Sequence, residues 1–329
     1  MSLYLTYDIN YHSDGFGAQY HRLVGIYCLA KLIDAKYAHT PIIRFEHLPE
    51  NYSEKINQHF GLNKFELGQN GVPEVFQETI SNTIPNTLDS LKIDTQGENK
   101  LIKIGMPHHI LDNNPDLFDV GMNELRELKK KINLPEFVNN KTNIAIHIRR
   151  GDVGTESNSD RYTDNNYYVN IINKLNEKYK GCNIFIFSQG TEGFDEFKQI
   201  QNVKILNDFD VIETFEYLCN ADVLIMAKSS LSYLAALYSN SSDIYMEPFT
   251  HWPHKKLNRW KSMNDLMDNK VEGYENLNNN NNNNNILFIL LALIFLFVLY
   301  FIKIIIKKIR LFYSSLLYKS SSKGKTKRK

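Results

Sequence analysis

Asn143-Ile144-Ala145-Ile146-His147-Ile148-Arg149-Arg150-Gly151-Asp152 decides how this chain is read. An apolar run of strand type delivers two arginines and a glycine to the end of a buried strand, which is where α/β proteins hold ligands. The planar fork of arginine matches phosphate oxygens in pairs, and a glycine lets backbone approach a ligand closely. A nucleotide diphosphate suits the arrangement; a surface salt-bridge loop is the bland alternative, since charged turns after strands are common.

Downstream of the motif the pattern is regular. Tyr167 to Tyr179 has helical spacing, and Asn183-Ile-Phe-Ile-Phe187 reads as a strand that ends at Ser188-Gln189-Gly190. Val203–Leu206 is a short strand, Val211–Asn220 a helix, Val223–Met226 a strand and Leu231–Tyr238 a helix. Strands alternating with helices of this length imply a parallel sheet covered on both faces, and apolar runs without polar alternation are what such a sheet needs. One doubly wound domain over 139–272 is expected.

Upstream, Leu3-Tyr-Leu-Thr-Tyr7 is a strand, Asp14-Gly15-Phe16-Gly17-Ala18-Gln19 a turn, and Tyr20 to Leu32 a helix. Two glycines do not complete the GxGxxG dinucleotide fingerprint. The turn still presents backbone N–H groups at a helix N-terminus, an anion site, although an ordinary strand-to-helix turn would look the same. A separate α/β lobe over 1–138 is expected.

The chain has 329 residues and a formal net charge of +1. Ten basic residues from Lys303 onward leave the preceding body acidic. That argues against nucleic acid as a partner, which would call for a basic patch interleaved with aromatics. Cys28, Cys182 and Cys219 have neither disulfide nor zinc spacing, which mildly favours a reducing compartment. Ile286 to Ile302 is an unbroken apolar run extended by Ile304–Ile306, and about 20 apolar residues cross a bilayer as a helix, so 286–306 is expected to be a single transmembrane span. Asn278–Asn285 belongs to a polar linker over 273–285, and 307–329 is a basic tail. That tail predicts a cytoplasmic C-terminus and a lumenal or external body by the positive-inside rule. Met1–Asp8 has no signal-peptide pattern, which favours a tail-anchored protein with its body in the cytoplasm. The sequons at Asn51, Asn140 and Asn240 fit the first solution without requiring it.

Three strand ends share a chemical theme: His147–Asp152, Ser188–Gly190, and Lys228-Ser229-Ser230 before a helix. In a parallel sheet these lie along one edge and can face one ligand. A plain N-cap accounts for Ser229 alone; arginines, glycine turn and serine turn together describe a diphosphate held between two lobes. Trp252 and Trp260 are candidates for stacking on a sugar or base, or for capping the core.

His147-Ile-Arg-Arg-Gly-Asp152 with Val153-Gly154-Thr155-Glu156, followed by Asn220-Ala-Asp-Val-Leu-Ile225 and Lys228-Ser229-Ser230, resembles the GDP-fucose-dependent fucosyltransferases, in the α1,2 and α1,6 groups and their protein O-fucosyltransferase relatives. Gly15-Phe16-Gly17-Ala18-Gln19 is similar to their N-terminal glycine loop. The resemblance implies a GT-B-like α/β fold of two Rossmann-like lobes with a cleft between them, GDP-fucose as donor substrate with no cofactor, inverting transfer to a glycan or glycoprotein hydroxyl, and no metal. Carried over by position, Arg149 would bind the β-phosphate and neutralise the leaving GDP, His147 would contact the nucleotide with Arg150 beside it, Asp152 would support the loop, and Ser229 and Ser230 would hold phosphate or nucleoside. The carboxylate that reads guanine in these relatives would fall at Glu213 or Thr214, and Glu156 where the α1,6 group has its proposed base. An anchored enzyme of the endomembranes (Golgi or ER) is the expected setting. A transferase for another sugar nucleotide, a nucleotide-binding protein without turnover, and a membrane scaffold with a structural arginine loop are the competing readings.

Overall fold

The computed structural model describes residues 2–8, 10, 14–69, 71–73, 77–80, 99–105, 107, 110, 114, 117–190, 193–247 and 256–268. The expected linker, span and tail (273–329) and Trp252 lie outside these residues. Among the described residues no helix is long and apolar enough to cross a membrane. Met1–Asp268 forms one compact unit.

Its first sheet is parallel, in the order β2-β1-β4-β3, with β1 at Leu3–Tyr7, β2 at Lys36–Tyr37, β3 at Gln77–Ile80 and β4 at Lys100–Ile104. Helix α1, Phe16–Leu32, connects β1 to β2 and is buried from Phe16 to Ala30 on every side, as a helix without a polar face must be. Helix α2 covers Tyr52–Phe60, and α3 covers Phe118–Leu128.

The second sheet is also parallel and has the order β10-β9-β8-β5-β6-β7. Its strands are β5 (Asn143–His147), β6 (Asn183–Ser188), β7 (Val203–Asn207), β8 (Val223–Ile225), β9 (Asp243–Met246) and β10 (Lys261–Ser262). Helices α4 (Asn165–Lys178), α5 (Asp195–Lys198), α6 (Val211–Asn220), α7 (Ser230–Tyr238) and α8 (Met263–Met267) complete this half. Relative to the chain, β5 runs outward to β6 and β7 on one side and to β8, β9 and β10 on the other, so the order reverses between β5 and β8. This is the doubly wound arrangement whose ligand crevice opens at the reversal.

Side-chain alternation assigns the two faces. Ile144, Ile146, Ile148, Ile184, Ile186, Val223 and Ile225 join Tyr168, Ile171, Ile172 and Leu175 of α4 in one core. Ala145, Phe185, Phe187 and Leu224 face the other way into a core shared with α6, α7 and α1. His147 is in phase with Ala145, so the motif's histidine emerges on the side of the first sheet. The two sheets therefore do not belong to halves with wholly separate cores. The shared core exists because α1 and α7 are both too apolar to leave one side bare.

Candidate active site at the strand reversal

Helix α1 and helix α7 start at the same place. A β-carbon on Gly17 would lie 2.4 Å from the backbone N of Leu231 and 2.6 Å from its Cα, so only glycine permits this approach of the two N-terminal turns. Gly15, at φ −69° and ψ 169°, forms the extended N-cap of α1 and supplies no side-chain acceptor. The Gly17 and Ala18 N–H groups precede the first intrahelical bond, Gln19 N to Gly15 O at 3.2 Å, at the helix end, while Phe16 N–H faces Glu46 O in the isolated bridge between Gly15 and Glu46. Two helix N-termini meeting at one point create a field that favours an anion.

The space beside them is a cleft of about 760 Å³. The structure brings Gly15, Phe16, Gly17, His147, Arg149, Arg150, Asp152, Ser229 and Ser230 to its walls. Arg149, at the end of β5, donates from Nη1 to Ser229 Oγ at 3.0 Å and from Nη2 to Asp152 Oδ2 at 2.8 Å. The first contact spans the strand reversal. Among the described residues its Nε is buried and has no hydrogen-bond partner. Ser229 caps α7, its Oγ accepting from Leu231 N at 3.3 Å.

Neighbouring arginines have separate tasks. Arg150 donates to Arg149 O, Thr163 O and Asn165 Oδ1 and lies 4.5 Å from the centre of the Tyr162 ring. It fastens the loop 150–165, and its end of the fork is occupied by protein. Gly151 sits at φ +80°, a left-handed conformation in which any other side chain is strained. His147 is buried, its Nδ1 has no partner among the described residues, and burial together with the Arg149 charge pulls its pKa down to about 3. It is a neutral imidazole at the cleft wall.

Two residues chosen from the sequence stand elsewhere. Glu156 is exposed on the loop after the motif and is not part of the cleft lining. Glu213 is exposed as well, whereas Thr214 is buried and lines the cleft. Trp260 packs in the core, 5.1 Å from the Tyr233 ring.

The cleft also uses residues that the sequence reading missed. Against the expectation that the sequence holds no Asp-x-Asp triplet, Asp208-Phe209-Asp210 is one, and it lies on the wall. Asp208 Oδ1 accepts from Gly190 N at 2.9 Å. Asp210 caps α6, accepting from Ile212 N and Glu213 N, and takes a hydrogen bond from Tyr52 across the cleft. The capping pattern of an Asp before Val211–Asn220 was the signal available for Asp210. No sequence signal marks Glu46, His47 or Tyr52, which reach the cleft from the first half, the first two on a loop and Tyr52 at the start of α2. Among the described residues no group of three or more His, Cys, Asp or Glu is placed to hold a metal ion.

No curated protein matches the chain. Residues 106–267, which include the whole second sheet with the arginine loop and the serine turn, match the model of Glycosyl transferase family 11, the GDP-fucose-dependent α1,2-fucosyltransferase family, which implies a nucleotide-sugar donor and a glycan acceptor. Over those residues the chain is similar to the fucosyltransferase-like glycosyltransferases of family 11.

Proposed function

We propose that this enzyme moves fucose from GDP-fucose to a hydroxyl of a glycan or glycoprotein, with inversion and without a metal, in a GT-B-like cleft between its two halves. The observation that carries the reading is Arg149 at the strand reversal, with an unpartnered Nε, beside two converging helix N-termini. As the bond from the anomeric carbon to the diphosphate breaks, negative charge grows on GDP while the sugar gains oxocarbenium character. A fixed cation and free backbone N–H groups at the diphosphate are worth most at that moment, because they are already oriented. Arg149 would contact the β-phosphate, Ser229 and Ser230 the phosphates or nucleoside, and neutral His147 the nucleotide. Asp152 aligns Arg149, and Gly15, Phe16 and Gly17 present the α1 N-terminus.

The apolar run 286–306 supports a single-pass anchor in an endomembrane such as Golgi or ER. Transfer from a different sugar nucleotide is a second reading, favoured by one observation: the position expected to read guanine offers an exposed Glu213 outside the cleft and an uncharged Thr214 within it. Incubating the protein in EDTA with GDP-fucose, GDP-mannose or UDP-galactose and a panel of glycan acceptors separates the two. A fucosylated product from GDP-fucose alone is expected. Transfer from UDP-galactose, or transfer that stops in EDTA, would contradict the proposal.

A further inference from the structure

The cleft has a second face that the donor reading leaves unused. Four carboxylates on its walls are engaged by the protein: Asp14 by buried Arg22, Asp152 by Arg149, Asp208 by Gly190 N–H, and Asp210 by the α6 N-terminus and Tyr52. Glu46 differs. It is exposed, it lines the cleft, and among the described residues its carboxylate has neither a hydrogen bond nor an ion pair.

Its backbone, in contrast, is fixed. Glu46 N donates to Asp14 O at 3.1 Å, and Gly15 and Glu46 pair as an isolated parallel bridge. Gln19, fully buried on α1, donates to Asp14 O at 2.6 Å and to Arg44 O at 3.0 Å, tying the turn to the glycine loop. Phe45 points inward against Phe16 and Tyr20, at 5.9 and 6.1 Å between ring centres, which leaves Glu46 facing out. His47 follows at φ +65°, a left-handed conformation uncommon outside glycine. A surface glutamate needs none of this support. A carboxylate that must meet a substrate atom in one orientation does.

We propose that Glu46 is the general base of the transfer, taking the proton of the acceptor hydroxyl at the part of the cleft wall that the first half supplies. The inference rests on the sugar-nucleotide reading above. In the step, the acceptor oxygen forms its bond to the anomeric carbon and the carbon–oxygen bond to the diphosphate breaks. The bonding pair leaves with GDP, and the acceptor's proton passes to the Glu46 carboxylate. Such a base contributes roughly 10²- to 10⁴-fold.

The test uses the full chain with GDP-fucose, water as acceptor, and GDP release as the readout. Glu46→Gln keeps size and removes basicity; it is expected to lower the rate by at least about 10²-fold while GDP still raises the melting temperature as in wild type. Azide, a nucleophile with no proton to lose, is expected to restore GDP release in Glu46→Gln and to yield fucosyl azide, with little effect on wild type. Glu46→Asp is expected to retain part of the rate. A Glu46→Gln rate within a few-fold of wild type overturns the inference, as does a loss that azide leaves untouched in a variant that still binds GDP. If wild type releases no GDP from GDP-fucose either in water or with the panel of glycan acceptors, the donor reading fails first and the inference goes with it.

Discussion

The two walls of the cleft are built on opposite rules. On the wall supplied by the second sheet, the polar groups are tied into one another: Arg149 to Ser229 and Asp152, Arg150 to the loop 150–165, and Ser229 to the α7 N-terminus. On the wall supplied by the first half, the backbone is pinned and the side chains of Glu46 and His47 are left without partners among the described residues. The first construction suits a ligand with fixed charge, since a pre-aligned cation loses little on binding. The second suits a group that must exchange a proton. Positioning a charge and moving a proton thus call for different degrees of satisfaction in the same cleft.

Arg149→Ala breaks the comparison most severely. It removes the cation of the tied wall and is expected to lower kcat/KM for GDP-fucose by about 10³-fold or more, since one preorganised donor is already worth roughly 10²- to 10³-fold. Steady-state GDP release checks it. Gly17→Ala should come next, because the new β-carbon meets backbone that cannot step aside. A loss of about 1–3 kcal/mol in denaturant unfolding is expected, together with weaker GDP binding as the helix N-termini separate.

His147 sharpens the contrast through pH. Its folded pKa of about 3 lies below the ordinary 6.5, so the unfolded chain takes up a proton that the folded chain refuses. Its contribution is fully present above pH 6.5 and is lost as pH falls from 6.5 towards 3. Urea unfolding at pH 7 and pH 5 should show a smaller acid loss for His147→Gln than for wild type. Ser229→Ala removes both an N-cap and an Arg149 acceptor, and a loss of about 1 kcal/mol is expected from the cap alone. Glu213→Ala, exposed and off the lining, should change stability by less than about 0.5 kcal/mol and leave GDP release as it was.

Legibility in the sequence followed the range of the interactions. Val211–Asn220 was legible because its apolar residues recur at helical spacing, and Leu3–Tyr7 because its apolar run is short and isolated. Helix α1 starts at Phe16 rather than Tyr20, since the glycine turn continues straight into it. The arginine loop and the serine turn were legible as two strand ends on one sheet edge. What joins them, the Arg149–Ser229 contact between positions 80 residues apart, was not. Gly17 reads as a flexible turn residue in sequence and proves to be a packing requirement, because its partner Leu231 belongs to a distant helix. Glu46 was invisible for a related reason: a loop puts it on the wall, and loops carry no periodicity.

The central claim is that the strand reversal holds a guanine nucleotide diphosphate through Arg149. Thermal unfolding of the full chain with GDP or UDP, beside Arg149→Ala, tests it most directly. At 100 times its dissociation constant a ligand adds about 2.7 kcal/mol to stability, a clear rise in melting temperature. A rise with GDP that is lost in Arg149→Ala and absent with UDP is the expected result. An equal rise with UDP, or a GDP rise that survives the substitution, would contradict it.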